Sequence, residues 1–373
     1  MQTLIKWPGG KTSEFPHIKD LVPRFDRYIE PFFGGGAVFF QLKPEKAIIN
    51  DVCRELTDFY SLLKAERARE EFKKELYDYV INWEKIPSYI AVFEDKLASL
   101  YEKYKREKIS KIELADQVNS ILRAQEDCFN GLFSKIFCLD ERNLLEQITS
   151  NLIGKIIRTK EIEKRRGLMP EGDLQKNIET AFRSGFYMHF RDVMNFADQK
   201  YEIDLPKKIA NYYFVREFCY GAMFRFNKAG HFNIPYGGIA YNAKNFRGKV
   251  DYIFCEDVKE LLRKAVIENK DFEEIFGAGQ LSKDDFVFLD PPYDTEFSDY
   301  EKNAFDKNDQ KRLAKCLYET EAKFVLIIKN TPFIRELYEG KGGIKIDSFA
   351  KTYLYNVKGR NMRDVEHLLI YNF

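Results

Sequence analysis

An acidic tetrapeptide in the last quarter of the chain carries groups suited to accepting protons and to stacking on a ring. The apolar run Phe286–Leu289 stops at Asp290-Pro291-Pro292-Tyr293. A strand that ends this way places a carboxylate, two prolines without N–H groups and an aromatic ring at the carboxyl edge of a sheet, where open α/β folds bind ligands. The structural alternative is an ordinary Pro-Pro turn capped by the aspartate.

A glycine-rich motif near the amino end predicts a nucleoside pocket. The segment Tyr28–Gly36 (YIEPFFGGG) precedes a helical pattern and the apolar run Ala47–Ile49, which ends in Asn50-Asp51. A glycine turn lets backbone approach a ligand, and an acidic residue at the tip of the next strand can accept hydrogen bonds from ribose hydroxyls. No Gly-Lys-Ser/Thr follows, so a nucleoside without phosphates fits best. A tight turn and a helix-capping Asp51 are the structural alternative.

A third motif, Lys6–Lys11 (KWPGGK), lies at the start of the chain. Its Trp7 is either a packing residue of an N-terminal turn or a platform for a ligand.

A polar hairpin is predicted around Lys228-Ala229-Gly230. Polar and apolar residues alternate on both sides of this turn, which predicts a β-hairpin with one polar face. Such a face can enter the major groove of DNA, where arginine reads guanine and asparagine pairs with adenine. A solvent-facing hairpin is the alternative. The polar set is Arg225, Asn227, Lys228, His231 and Asn233.

The elements that must position these motifs alternate in a way typical of an α/β sheet. Apolar runs at 252–255, 286–289, 324–328, 344–349 and 366–371 alternate with helical patterns at 257–267 and 307–320, and residues 212–237 are aromatic and strand-like. Between residues 54 and about 200 the chain has charged, glycine-poor stretches with helical spacing. Pro87, Gly131, Gly154 and residues 167–173 are the expected breaks in this helical region.

Charge is distributed unevenly along the 373 residues. The chain holds 60 Lys+Arg and 59 Asp+Glu, but residues 151–250 contain 18 basic and 10 acidic residues, against 15 and 22 in residues 251–350. The basic part is suited to a polyanion, unless the acidic part balances it in space. The candidates for phosphate contacts are Lys164, Arg165, Arg166, Arg183, Arg191, Lys207 and Lys208.

Composition excludes several classes of protein. Apolar residues make up 45% of the chain, too many for a disordered protein. Apolar stretches reach only about five residues, as in Phe324–Ile328, far from the roughly 20 that a membrane span needs. No secretory signal pattern opens the sequence, so a cytoplasmic protein without a membrane partner is expected. Six cysteines without metal spacing are expected to be reduced, with neither a disulfide nor a metal site.

Taken in their order along the chain, the motifs resemble those of the Dam-type DNA adenine-N6 methyltransferases. KWxGGK, EPFxGxG, an Asp that ends the next strand and DPPY all match. Two further matches are the stretch 225–237 (RFNKAGHFNIPYG) and the C-terminal NMRDVEHLLIYNF. The resemblance covers roughly residues 1–60 and 212–373, and it does not extend to the insert at about 65–210. Where the Dam pattern has Tyr-Asn, this chain has Tyr220-Gly221, so a GATC target is not implied.

The resemblance implies S-adenosylmethionine as cofactor. Trp7 and Lys11 would help to hold it, Asp51 would bind its ribose, and Asp290 would also face it. Asp257 would contact its adenine side, although capping of the helix at 258–267 explains that residue equally well. The pocket would be lined by Phe32, Gly34 and Gly36.

The chemistry expected of such a site is methyl transfer to an exocyclic amine. Asp290 and the Pro291 carbonyl are suited to accepting the two N–H groups of that amine, and Tyr293 to stacking on a flipped base, with Pro292 completing the catalytic motif. No metal is required. Cytosine N4, adenine in RNA, a non-catalytic DNA-binding module and, less favoured, a nucleotide-dependent oxidoreductase are the alternatives.

The sequence therefore predicts a class I methyltransferase-like α/β fold with a doubly wound mixed sheet and an inserted, mostly helical DNA-recognition domain carrying a β-hairpin. Residues 1–64 and 246–373 are the predicted catalytic domain, and 65–245 the predicted recognition domain. The predicted activity is site-specific methylation of adenine N6 in double-stranded DNA, with a restriction endonuclease as a candidate counterpart.

Overall fold

The computed structural model of the chain describes residues 1–124, 135–170, 172–277, 281–292, 305–352 and 364–373. The chain divides into two compact units. Residues Met1–Ala65 and Cys255–Phe373 form one, here called the sheet unit, and Glu66–Phe254 form the other, the helical unit. The sheet unit is therefore built from both ends of the chain, and the helical unit is inserted between them.

One seven-stranded mixed sheet organises the sheet unit. Its spatial order is β3-β2-β1-β4-β5-β7-β6. The first five strands run parallel, and β7 is antiparallel to both β5 and β6. The α/β class and the class I methyltransferase-like topology are confirmed. The strands are β1 Arg27–Glu30, β2 Ala47–Asn50, β3 Ala265–Glu268, β4 Asp285–Leu289, β5 Lys323–Lys329, β6 Lys345–Thr352 and β7 Asp364–Tyr371.

The strand order places the ligand-binding edge. From β1 the chain moves outward through β2 to β3, whereas β4 pairs with the other side of β1 and leads to β5. Order reverses at β1 and β4, and in open α/β sheets ligands bind outside the carboxyl ends of the strands at such a switch point. Glu30 ends β1, Asp51 follows β2, and Asp290 follows β4. Three acidic residues thus lie at the end of three adjacent strands.

Helices cover the sheet and bury its central strands. All five residues of β4 are buried, as are Phe324–Ile328 of β5, which is the pattern of a parallel sheet covered on both faces. The helices of this unit are Phe15–Ile18, Ala37–Leu42, Arg54–Lys64, Glu256–Arg263, Phe272–Ile275, Lys307–Glu319 and Pro332–Tyr338, with a 3₁₀ turn at Lys19–Leu21.

The helical unit packs around an aromatic core. Trp83 lies 4.2 Å from Phe218, and Tyr79 stacks on Phe214 at 5.0 Å between ring centroids. Its α-helices are Arg67–Ala91, Glu94–Lys105, Lys111–Arg123, Lys135–Cys138, Glu141–Arg166, Asp173–Asn195, Leu205–Phe218 and Phe246–Ile253. Shorter helical turns lie at Ala197–Tyr201, Tyr220–Ala222 and Ile239–Tyr241.

Two expected breaks are absent from the helical unit. Pro87 lies inside the helix Arg67–Ala91 and Gly154 inside Glu141–Arg166. Both are exposed, while their neighbours Ile86 and Leu152 are buried. Packing of the buried face outweighs the local preference of these residues. A break in the expected stretch 167–173 is confirmed, because one helix ends at Arg166 and the next begins at Asp173. Gly131 lies outside the described residues.

Three strand or helix assignments from sequence are wrong. Residues 212–218 belong to the helix Leu205–Phe218, and 252–253 end the helix Phe246–Ile253. The helical pattern at 257–267 stops at Arg263, and Ala265–Glu268 forms β3. Short apolar runs are ambiguous, because a buried helix segment and a buried strand have the same composition.

A hairpin-like segment follows the helix Leu205–Phe218 within the helical unit. Antiparallel bridges join Cys219 to Tyr236 and Phe226 to Phe232, although no continuous ladder forms. Phe232, Ile234 and Tyr236 are buried, while the intervening residues are more exposed. The expected alternation of polar and apolar faces is confirmed.

Candidate active site at the carboxyl edge of the sheet

Asp51 is fixed against the glycine loop. Its Oδ2 accepts a hydrogen bond from the Gly34 N–H at 2.8 Å, and its Oδ1 accepts one from the Cys53 N–H at 2.9 Å. Burial raises the pKa of Asp51 to about 6, against the lowering effect of these two bonds. Each carboxylate oxygen has further lone-pair capacity, so Asp51 can still accept hydrogen bonds from a ligand.

Glycine is required at both ends of the loop. Gly34 has φ +49° and Gly36 φ +64°, in the left-handed region that side chains disfavour. A Cβ on Gly34 would lie 2.7 Å from Cδ1 of Trp7, and one on Gly36 would lie 2.4 Å from Cζ of Phe33. Trp7 therefore packs directly on the loop that holds Asp51. These contacts agree with the structural alternative, in which Trp7 is a packing residue.

Asp290 forms a close ion pair with Lys11. The Lys11 Nζ lies 2.6 Å from Asp290 Oδ2 and donates to the Gly9 carbonyl at 2.8 Å. The Lys11 side chain is 3% exposed and that of Asp290 19%. Burial raises the pKa of Asp290 although Lys11 opposes this shift. The Asp290 carboxylate is therefore an acceptor that is partly open to solvent, and the buried Lys11 neutralises its charge.

Glu30 is a site residue that the sequence analysis missed. It is 3% exposed and accepts a hydrogen bond from the Tyr28 hydroxyl at 2.8 Å. Burial raises its pKa well above the usual value, and the charges of Asp290 and Asp51 raise it further. Like Asp51, it is an acidic residue that ends an apolar strand, and this signal was present in the sequence. Three carboxyl groups thus share one electrostatic environment.

The peptide after Asp290 is held by a second missed residue, Gln310. Its Nε2 donates to the Pro292 carbonyl at 3.2 Å, and its side chain is fully buried. Gln310 lies on the helix Lys307–Glu319, where nothing in the sequence connects it with the site. Pro291 is buried and Pro292 exposed. Tyr293 lies outside the described residues, so its predicted role stays a prediction.

Two asparagines tie the loop after β3 to the loop after β2. The Asn50 Nδ2 donates to the carbonyls of Pro31 and Lys270, both at 3.0 Å, and Asn269 donates to the Asp51 carbonyl at 2.8 Å. These bonds bring the end of β3 next to Asp51. The role of Asn269 could not be predicted, because residues 257–267 were expected to form a helix.

An aromatic cluster lies beside this loop. Phe32 is half-buried, and its ring lies 5.4 Å from Phe272 and 5.5 Å from Phe305. Asp257 is exposed in the first turn of the helix Glu256–Arg263, where its side chain makes no hydrogen bond or ion pair with any described residue. Its predicted contact with a cofactor stays a prediction.

Comparison with known proteins decides the family. The model of the D12 class N6 adenine-specific DNA methyltransferases matches residues 7–135 and 148–352. The chain belongs to this family. It is therefore a DNA adenine methyltransferase, and the resemblance stated from its motifs is confirmed.

Full-length relatives agree with the family match. The chain is 25% identical to the Type II methyltransferase M.CviBI of Paramecium bursaria Chlorella virus NC1A, over 100% of both chains. It is 26% identical to the Type II methyltransferase M.MjaIII of Methanocaldococcus jannaschii, over 100% of this chain and 99% of that protein. The DNA adenine methylase of Vibrio cholerae serotype O1 is 22% identical over 97% and 94% of the two chains.

In this D12 methyltransferase the polar hairpin residues divide into two groups. Arg225 and Lys228 are exposed, and the Arg225 Nε donates to Asn233 Oδ1 at 2.9 Å. The Asn227 Oδ1 instead accepts from two backbone N–H groups of its own turn, and His231 packs edge-on against Phe196 at 4.6 Å. Asn227 and His231 therefore have structural partners, whereas the Arg225 fork is oriented outward by Asn233.

Several basic residues that were predicted to contact phosphates have partners within the helical unit of the methyltransferase. Arg183 is 4% exposed and bonds to Glu179 and to the Trp83 carbonyl. Lys208 pairs with Asp198 at 2.7 Å, Lys207 is 13% exposed near Glu75, and Arg191 donates to the carbonyl of Ile234. Arg183 is unsuited to a phosphate contact, because it is buried and its charge is paired with Glu179. Arg191, Lys207 and Lys208 stay predictions, although each has a partner within the helical unit. Lys164, Arg165 and Arg166 form the last turn of their helix and stay predictions.

No helix among the described residues of the methyltransferase combines the length and the apolar content that crossing a membrane requires.

Proposed function

We propose that this enzyme transfers the methyl group of S-adenosylmethionine to N6 of an adenine that is flipped out of a specific site in duplex DNA. One arrangement carries the proposal: Asp51, Glu30 and Asp290 lie at the carboxyl ends of adjacent strands, with Lys11 on Asp290. The site thus combines a nucleoside-binding carboxylate with an acidic acceptor.

The residues of the pocket fit this cofactor. Asp51 is half-buried beside a glycine loop and retains acceptor capacity for the ribose hydroxyls. Burial raises the pKa values of Asp51, Glu30 and Asp290, and the charges of Asp290 and Asp51 raise that of Glu30 further. A positively charged ligand favours the ionised forms of these carboxyl groups. S-adenosylmethionine, when bound, supplies a methyl group activated by a sulfonium. The half-buried Phe32 and its aromatic neighbours offer an apolar wall.

Asp290 and the Pro291 carbonyl oxygen act on the acceptor amine. The lone pair of an adenine amine is delocalised into the ring, so the amine is a poor nucleophile until both N–H groups donate to acceptors and the nitrogen becomes more tetrahedral. Asp290, ionised and held by Lys11, accepts one N–H, and the Pro291 carbonyl accepts the other. Gln310 steadies the same peptide through the Pro292 carbonyl.

Base flipping follows from where the target atom lies. The N6 atom is inaccessible inside a duplex, and extrusion costs about a few kcal/mol. Stacking of the base on Tyr293, at about 1–3 kcal/mol, is comparable with that cost. Tyr293→Ala is therefore expected to reduce transfer more than it reduces cofactor affinity, and an equal rate for the variant would remove Tyr293 from the mechanism.

The helical unit is assigned to target recognition, with Arg225 as a base contact and the exposed Lys228 as a phosphate contact. The basic surplus of residues 151–250 supports the assignment. The "Type II" names of two full-length relatives support a restriction endonuclease of the same specificity as counterpart. Resistance of methylated DNA to an endonuclease from the same source is the corresponding test.

Product analysis tests the proposed reaction. The protein is incubated with methyl-labelled cofactor and duplex DNA, single-stranded DNA or RNA, and the nucleosides are then separated after digestion. Labelled N6-methyldeoxyadenosine from duplex DNA is the expected product. Labelled N4-methylcytosine, label confined to RNA, or no transfer at all would each replace the proposal with a different function.

A further inference from the structure

A buried ion-pair cluster adjoins Lys11 and has no part in the chemistry assigned above. Glu14 is 3% exposed, and its Oε1 accepts a hydrogen bond from the Lys351 Nζ. Its Oε2 lies 3.7 Å from Nδ1 of His367, which is fully buried. Desolvating such a carboxylate costs free energy, so a buried ion cluster contributes little net stability to the fold. Stability alone therefore does not explain why the cluster is present.

The cluster connects the turn that carries Lys11 with two C-terminal strands. The Glu14 N–H donates to the Lys11 carbonyl at 3.1 Å, so the two residues share one turn. Lys351 lies on β6 and His367 on β7. The Glu14 side chain therefore fastens the Lys11 turn to this strand pair.

A ring contact fastens the same segment a second time. His17 stacks on Phe349 of β6 at 4.6 Å, and Phe349 pairs in register with His367. His367 pairs in turn with Lys329 of β5, and β5 pairs with β4, whose end leads to Asp290. The support for Lys11 is thus part of the sheet that carries Asp290.

Charge alternates through the four central groups. Asp290 pairs with Lys11, and Glu14 pairs with Lys351. Burial opposes ionisation of Glu14, but its contacts with His367, Lys11 and Lys351 together lower its pKa, so Glu14 is an anion. Without that anion, Asp290 would face two cations without compensation.

We propose that Glu14 is a positioning residue for methyl transfer, because its carboxylate, bonded to Lys351 and facing His367, fixes the turn that holds Lys11 on Asp290. The inference rests on the proposed role of Asp290 as acceptor of the adenine amine. Glu14 does not touch the substrate. It acts by setting the position of Lys11 and the net charge around Asp290.

Two substitutions test the role. Glu14→Gln keeps the size of the side chain and removes its charge, and Lys351→Met removes its cationic partner. Each is expected to lower the single-turnover rate of methyl transfer by about tenfold or more, because misplacement by about 1 Å costs up to about a hundredfold. Affinities for duplex DNA and S-adenosylmethionine stay within about twofold of wild type, since neither residue acts in ground-state binding.

The pH dependence separates positioning from a merely structural role. The negative charge of Glu14 raises the pKa of Asp290, and the positive charge of Lys351 lowers it. At saturating cofactor, Glu14→Gln therefore shifts the acidic limb of the rate profile to lower pH, and Lys351→Met shifts it to higher pH. A structural defect moves neither limb. Among the described residues, the charged and titratable groups around Asp290 and Glu14 are Lys11, Glu30 on β1, Lys351 on β6 and His367 on β7.

Controls make each outcome decisive. Lys345→Met changes an exposed lysine of the same strand and is expected to behave as wild type, and Glu14→Asp keeps the charge and is expected to retain the wild-type acidic limb. Folded Glu14→Gln and Lys351→Met with wild-type rates and unshifted limbs would overturn the inference. If Glu14→Gln does not fold, Lys351→Met decides by the same criterion. Asp290→Ala is measured in parallel: turnover by that variant would refute the role of Asp290 itself, whatever the Glu14 variants do.

Discussion

The Lys11 Nζ lies 2.6 Å from Asp290 Oδ2, although the two residues belong to opposite ends of the chain. The sheet explains this contact, because β1 and β2 come from the amino end, β4 comes from the carboxyl part, and β1 lies between β2 and β4. Neither end can form the site alone. The inserted helical unit leaves this junction intact because it enters between complete elements, the helix Arg54–Lys64 and the helix Glu256–Arg263.

Lys11→Met is expected to reduce methyl transfer and to make Asp290 harder to ionise. The lost cation lowers the pKa of Asp290 in the wild type, so its removal raises that pKa and moves the acidic limb of the rate profile to higher pH. Steady-state rates from about pH 5 to pH 9 check the shift. Lys6→Met is the matched control in the same motif, and an identical shift in that variant would argue against the specific ion pair.

Asp51 is expected to make cofactor binding depend on pH. Its pKa is about 6, so the carboxylate that accepts ribose hydroxyls is lost as the pH falls below that value. The affinity for S-adenosylmethionine should decrease by up to about tenfold for each pH unit below about 6 and level off above it. Calorimetric titration of the wild type and of Asp51→Asn measures the effect. A persistent decrease in the Asn variant would assign the titration to another group.

The sequence identified the elements that hold the site better than it identified their connections. Strands at 47–49, 286–289 and 324–328 are confirmed, because buried parallel strands read as short apolar runs bounded by turns. The apolar runs at 344–349 and 366–371 also fall on strands, the antiparallel pair β6 and β7. β3 was missed, because Ala265–Glu268 directly follows a helix without a glycine or proline between them. Without β3, the loop that approaches Asp51 could not be recognised.

Candidate site residues could be predicted where a local rule applies, but not where only tertiary contacts act. Asp51 and Asp290 each follow directly after an apolar strand, which is a local rule. The structure adds the ion pair between Asp290 and Lys11. Gln310 and Glu14 bond to groups far away in sequence, so no spacing rule could assign them. The same limit explains Arg183, whose charge is used inside the helical unit.

Arg225 and Lys228 are expected to contribute differently to DNA binding. Arg225 is oriented by Asn233, so Arg225→Ala should cost about 1–3 kcal/mol at the cognate site and relax sequence preference there. Lys228→Ala should weaken all duplexes alike and reduce the salt slope by about 1. Fluorescence anisotropy with cognate and scrambled duplexes at several salt concentrations distinguishes the two. Equal losses on both duplexes for Arg225→Ala would exclude a base contact.

Two glycines of the helical unit are expected to respond to alanine in opposite directions. A Cβ on Gly185 would lie 2.4 Å from the Ile148 Cα of the neighbouring helix, so Gly185→Ala forces the helices apart and should cost about 1–3 kcal/mol of unfolding free energy. A Cβ on Gly154 would meet nothing within 4 Å. Gly154→Ala should therefore stabilise the protein by about 0.5–1 kcal/mol. Urea unfolding measures both, and a destabilised Gly154→Ala would contradict the helix assigned there.

Single-turnover methyl transfer by Asp290→Ala tests the central claim most directly. With saturating methyl-labelled S-adenosylmethionine and cognate duplex, the variant is expected to lose activity by a factor on the order of 10³, because it lacks the acceptor that activates the amine. Its affinity for duplex DNA should remain close to that of the wild type. Labelled N6-methyladenine formed by Asp290→Ala at a rate near that of the wild type would contradict the assignment.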